Sequence, residues 1–119
     1  MVLRLLNNLL GKASAEFGSN LANRLSLLYP PSLDKPGDHK ISANRIANIL
    51  EGLYGEAQSF RYNNKLGLIG RTRLSHAFKW RLIEHNYSKE FIDMATEGLV
   101  VYLHKPLNSA ENPKKSPKR

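Results

Sequence analysis

Apolar residues recur at intervals of three and four along nearly the whole of this chain, and only a few short segments break the recurrence. Leu3, Leu6, Leu10, Ala13, Phe17, Leu21 and Leu28 follow that spacing, which predicts a helix over about 2–28 with one apolar stripe. Pro30 and Pro31 end it, because proline lacks the N–H that a continuing helix needs. Ser32 to Lys40 holds Asp34, Pro36, Gly37 and Asp38 with little apolar content and reads as a loop. Ser42 is the expected N-cap of a second helix, with Ile41 and Ile46 placed for a hydrophobic staple. Its stripe is Ile46, Ile49, Leu50, Leu53, Ala57 and Phe60, and it ends near Tyr62, before Asn63 and Asn64.

A third helix is expected from about Leu66 to His85, with a soft start because Gly67 and Gly70 each lower helix propensity by about 1 kcal/mol. Leu74, Phe78 and Leu82 fall on one of its faces, and Ile69, His76, Trp80 and Ile83 on another. Two apolar faces predict a helix sandwiched between neighbours, with Trp80 in the core. Asn86 to Ser88 is a turn; Ser88 is the next N-cap, and Tyr87 with Ile92 repeats the staple. The last helix uses Phe91, Ala95, Leu99, Tyr102 and Leu103, with Pro106 just past its end. Val100, Val101 and Tyr102 are the best strand signal, and they lie inside this helical pattern. The expectation is an all-α fold, a compact bundle of four to five helices.

A length of 119 residues suits one domain. Residues 1–105 are expected to form it, followed by a disordered basic tail over 106–119, where Pro113 and Pro117 stand among lysines. Asn7, Gly11, Ser14 and Gly18 share their spacing with Asn48, Gly52, Gly55 and Ser59, and small residues so spaced let helices approach closely. Ala13-Ser14-Ala15 mimics a leader cleavage site, but Asn7 and Asn8 interrupt the apolar run that a leader requires. No run approaches the eighteen or so residues of a membrane span. The expected location is the cytoplasm, away from membranes.

The chain carries 18 Lys and Arg against 10 Asp and Glu, a formal charge of +8. Such an excess points to a polyanionic partner. The tail supplies part of it, yet residues 1–109 keep 14 basic against 9 acidic residues. No acid occurs between Glu56 and Glu84, whereas Arg61, Lys65, Arg71, Arg73, Lys79 and Arg81 all do. Ser88 to Leu103 holds Glu90, Asp93 and Glu97 against Lys89 alone. One domain with such polarity suggests a basic side for nucleic acid and another for protein neighbours. A solvated charged surface with a solubilising tail is the plainer alternative.

Those six basic residues are the candidate nucleic-acid contacts, for RNA or single-stranded DNA. Arg71, Arg73, Lys79 and Arg81 do not share one helical face, so a patch requires Arg61 and Lys65 to be brought beside Lys79. It would hold phosphates without reading bases, and its affinity would fall steeply with salt. Tyr62 and Trp80 are candidates to stack on bases, although for Trp80 the core reading leads.

Chemistry is sparse. With no cysteine, disulfides, zinc knuckles, iron–sulfur clusters and thiol nucleophiles drop out. His39, His76, His85 and His104 are not paired at the spacing of a helical metal site. Gly67 to Thr72 lacks the Lys-Ser/Thr ending of a phosphate loop, and the carboxylates look like helix-surface positions. No enzyme, metal or cofactor is expected. The third and fourth helices have the lengths of a helix-turn-helix, but the second of them is net negative and phosphates would repel it.

Ile41 to Leu50, Lys65 to Arg71 and Glu97 to Tyr102 resemble, in that order, segments of the small helical subunits of CRISPR effector complexes. The resemblance spans about residues 41–103 and looks closest to the type III small subunit, with type I similar. It implies a non-catalytic helical bundle that stacks in several copies beside the guide RNA and target strand, among other subunits, in antiviral defence. Lys65 and Arg71 match basic positions of the family segment. Arg61, Arg73, Lys79 and Arg81 rest on charge alone. A protein–protein adaptor or chaperone, and a small DNA-binding regulator, are the alternative readings.

Overall fold

A computed structural model describes residues 2–34 and 42–105, with side chains from Gly11 onward. The expected tail from residue 106 lies outside the described residues, as does Ile41, one half of an expected staple. Four α-helices and a short 3-10 turn make up the fold: α1 (Val2–Leu28), the turn Pro31–Asp34, α2 (Ala43–Asn63), α3 (Leu68–Glu84) and α4 (Lys89–His104). There is no strand among the described residues, and the architecture is the all-α bundle that the spacing predicts.

Local chemistry sets the helix ends. Ser42 Oγ accepts the Arg45 backbone N–H at 3.1 Å, and Ser88 Oγ accepts that of Phe91 at 3.1 Å, so both expected N-caps form. Such a cap is worth about 1 kcal/mol. After α2, Leu66 N donates to Arg61 O at 3.0 Å and Lys65 N to Tyr62 O at 3.3 Å, with Lys65 at φ 52°. After α3, Tyr87 N donates to Leu82 O at 3.4 Å and Asn86 N to Ile83 O at 3.0 Å, with Asn86 at φ 70°. Both ends are Schellman motifs, which need one left-handed residue. α3 begins at Leu68 rather than Leu66, because Leu66 closes the first motif and turns into the core.

Pairings between side chains define the directions. Arg73 lies over Gly11, Leu74 and Phe78 over Gly18, and His85 Nε2 is 3.0 Å from Asn23 Oδ1, so α1 and α3 run parallel. Phe17 stacks on Phe60 at 4.2 Å between ring centroids, and Arg24 forks onto Glu56, so α2 runs back along α1. Tyr54 Oη donates to Ala95 O at 2.7 Å and Gln58 Nε2 to Tyr102 O at 3.1 Å, which sets α4 parallel to α2. α4 also packs on α3 and closes the bundle around Leu21, Leu25, Leu53, Leu74, Phe78, Leu82, Leu99 and Leu103.

Two expectations about helix faces are corrected. α1 does not bury Ala13 and Leu28; both are exposed, and the seam is Gly11, Ser14, Gly18, Leu21, Ala22 and Leu25. This seam runs along the small-residue pattern, because the opposing surface is α3 backbone: a Cβ on Gly18 would lie 2.2 Å from Leu74 O. The matching α2 glycines, Gly52 and Gly55, have nothing within 4 Å of such a Cβ, so the recurrence there is not a packing seam. Nor is α3 sandwiched on two faces. Leu74, Phe78 and Leu82 are fully buried, but Ile69 is 72% exposed and Trp80 52%. The neighbours of α3 are α1 and α4, both against the Leu74 side, while α2 packs on α4 and α1.

An aromatic junction ties the Pro31–Asp34 turn to the α3–α4 connection. Tyr87 Oη donates to Tyr29 O, Ser88 N donates to Asp34 Oδ2 at 2.6 Å, and Tyr29 Oη donates to Asp34 Oδ1 at 3.2 Å. Burial pushes the Tyr29 phenol up to about 12, with the Asp34 charge adding to it, and burial likewise raises Tyr54 and Tyr87. Each phenol is therefore neutral in the fold at a pH where the unfolded side chain, near 10, ionises. The stability they confer is whole below about pH 10 and is lost as pH climbs toward 12. Tyrosinate absorbance and loss of helical circular dichroism are expected to rise together in that window. Ionisation of these tyrosines in a protein that stays fully helical would contradict this burial.

Candidate nucleic-acid interface

The alternation of helix directions brings distant parts of the chain to one end of the bundle. The C-terminal turns of α2 and α4 and the N-terminal turns of α3 meet there, beside α1 from Gly11 onward. Of the six candidate contacts, Arg61, Lys65, Arg71 and Arg73 occupy this end. Lys12 and Lys105 join them, and the sequence reading missed both. Their signal was faint: Lys12 is an isolated base on a long helix, and Lys105 sits at the border assigned to the tail. No carboxylate occurs within 57–75 or 98–105, so this end is uniformly basic among those residues.

Each of these cations has its own setting. Lys65 is exposed at the left-handed position that closes α2, where glycine is the residue of least cost. A side chain with a Cβ costs about 1 kcal/mol there. Arg71 Nε donates to Gly67 O at 3.2 Å. The Arg73 side chain lies across Gly11 on α1, with Nη1 3.0 Å from where a Cβ would stand. Beside it a cleft of about 570 Å³ opens, lined by Gly11, Leu66 to Gly70 and Arg73. Lys105 Nζ rests over the Tyr102 ring, 4.4 Å from its centroid.

Arg61 has a second role that charge alone did not reveal. Its guanidinium donates to Leu103 O and, at 3.3 Å, to Lys105 O, while Tyr62 Oη donates to Lys105 O at 3.3 Å. Gln58, Arg61 and Tyr62 thus cover carbonyls at the end of α4, where Tyr102 O also accepts the Lys105 N–H at 3.2 Å and the last carbonyls lack the partners of a continuing helix. Arg61 contributes charge to the basic end but is held against α4.

Lys79 and Arg81 are not brought into this group, and the approach of Arg61 and Lys65 to Lys79 that a patch including Lys79 requires does not occur. Lys79 lies eleven residues into α3, about 16 Å along its axis. It faces α4, where the Lys89 ammonium, with Lys79 adding to it, holds Asp93 below the usual carboxylate range. Arg81 pairs with Glu84 at 3.3 Å on its own helix. Asp34, Glu84, Glu90 and Asp93 lie toward this opposite end together with Lys79, Arg81 and Lys89, so acids and bases are mixed there. No group of three or more His, Asp or Glu poised for a metal occurs among the described residues, and none of their helices is long and apolar enough to cross a membrane.

Compared with protein-family models, with curated proteins and with solved structures, the chain matches none of them.

Proposed function

We propose that this chain is a non-catalytic helical module that holds nucleic-acid backbone against the basic end of its bundle, serving as a small subunit of an RNA-guided CRISPR effector complex. One observation carries the backbone-binding reading: Lys12, Lys65, Arg71, Arg73 and Lys105 share an end at which 57–75 and 98–105 supply no acid. Phosphates are attracted to such a surface whatever their sequence. Lys65 adds weight, because a lysine stands where glycine would stabilise the fold. The ribonucleoprotein context rests on the resemblance over residues 41–103, and the opposite end, where acids and bases are paired, suits a protein neighbour.

A salt titration tests the reading. Five contacts to a single strand would give log affinity against log salt a slope of about −3.5. That slope is expected for RNA and for single-stranded DNA, with little sequence preference, and is expected to persist when residues 110–119 are removed. Binding that is flat in salt, or that disappears with the tail, would assign the bundle to protein adaptation instead. A strong preference for one duplex sequence would make it a DNA-binding regulator.

A further inference from the structure

The outer face of α3, opposite the buried Leu74 row, carries the other feature that asks for a ligand. Ile69, His76, Trp80 and Ile83 line it, and Arg73 and Lys79 flank it on either side. Trp80 is 52% exposed and Ile69 72%, so the face is uncovered among the described residues. The Trp80 ring is also held in place. Its Nε1–H donates to His76 Nε2 one turn earlier, and the two rings meet at 51° with centroids 6.1 Å apart. Arg73 belongs both to this face and to the basic end, and lies two turns, or about 10 Å, before Trp80.

From this arrangement we infer that Trp80 is a base-stacking platform and that the ligand is a single strand with unpaired bases. The inference rests on the backbone-binding reading above and narrows it to that class. A face meant only for a protein neighbour needs apolar area; it does not need cations on both flanks running into a basic end. A single strand supplies both complements at once, phosphates for Arg73 and the basic end and a π-face for the indole. A duplex supplies only the first, because its bases are stacked on one another.

Trp80 is the only tryptophan of the 119 residues, so its fluorescence reports on this site alone. The full-length protein is titrated with oligothymidine, oligouridine, an abasic strand of equal length and a duplex. The base-bearing strands are expected to quench the fluorescence, and the abasic strand and the duplex to bind without quenching. Trp80→Ala is expected to weaken base-bearing strands by about tenfold while leaving the salt slope and the abasic affinity unchanged, and Trp80→Phe to restore most of the loss. If strands bind with a steep salt slope but ignore Trp80 in both fluorescence and affinity, the stacking role falls and the backbone reading stands. If no strand binds at any salt, both fall. If Trp80→Ala abolishes self-association in sedimentation and leaves strand affinity intact, the face is a protein contact and the inference is overturned.

Discussion

Gly18→Val is expected to destabilise the protein by about 3 kcal/mol, the upper end of what an overpacked interior usually costs. In a domain of this size that lowers the melting temperature by about 12 °C. The reason is the identity of the obstructing atom. A Cβ at Gly18 meets Leu74 O at 2.2 Å and the Phe78 backbone nitrogen at 3.2 Å, and neither can rotate away as a side chain would. α1 and α3 must separate, and the seam of Leu21, Ala22 and Leu25 against Leu74, Phe78 and Leu82 opens with them. Gly55→Ala supplies the contrast within the same experiment. Open space surrounds its Cβ, so the better helix propensity of alanine is expected to raise stability by about 0.5–1 kcal/mol. Thermal melts that ranked the two variants the other way would show that α1 and α3 are not in backbone contact.

Neutralising Lys65, Arg71 and Arg73 together is expected to weaken single-strand binding about 100-fold at 0.1 M salt. Each phosphate contact to a single strand releases about 0.7 counterion, so losing one at that salt is worth about a factor of five, and three multiply. The variant Lys65→Gly, Arg71→Gln, Arg73→Gln also separates binding from folding. Glycine relieves the left-handed strain at position 65 and is expected to stabilise the fold by about 1 kcal/mol, so weaker binding cannot be ascribed to unfolding. The slope of log affinity against log salt is expected to fall in magnitude by about two. A folded triple variant that binds with unchanged affinity would remove the basic end from the interface. The same substitutions at Lys79 and Arg81 are expected to matter less, because Lys79 lies near Asp93 and Arg81 bridges to Glu84.

How much of this was legible beforehand depends on the range of the forces involved. Ser42 and Ser88 cap their helices through bonds three residues long, and Pro30-Pro31 stops α1 through its own covalent structure, so each could be read in place. The face α1 would bury could not be read that way. Two stripes were available on it, and the chain buries the one with Gly11, Ser14 and Gly18 because α3 approaches closely enough to need them. Trp80 has the spacing of a core residue and is half exposed, since no third helix among the described residues covers α3 on that side. Arg61 showed its charge in the sequence but not the carbonyls of Leu103 and Lys105 that it caps more than forty residues away.

By itself, the sequence determined the helical class, the helix boundaries to within a residue or so except the start of α3, and an excess of positive charge concentrated between Glu56 and Glu84. Periodicity, capping and net charge are properties of neighbours along the chain. Which cations act together was decided only by the tertiary structure. Lys12, Lys65, Arg71, Arg73 and Lys105 are spread over more than ninety positions and share one end because α2 and α4 run against α1 and α3. Lys79 and Arg81, within the same acid-free interval, are carried away from that end by the rise of a single helix.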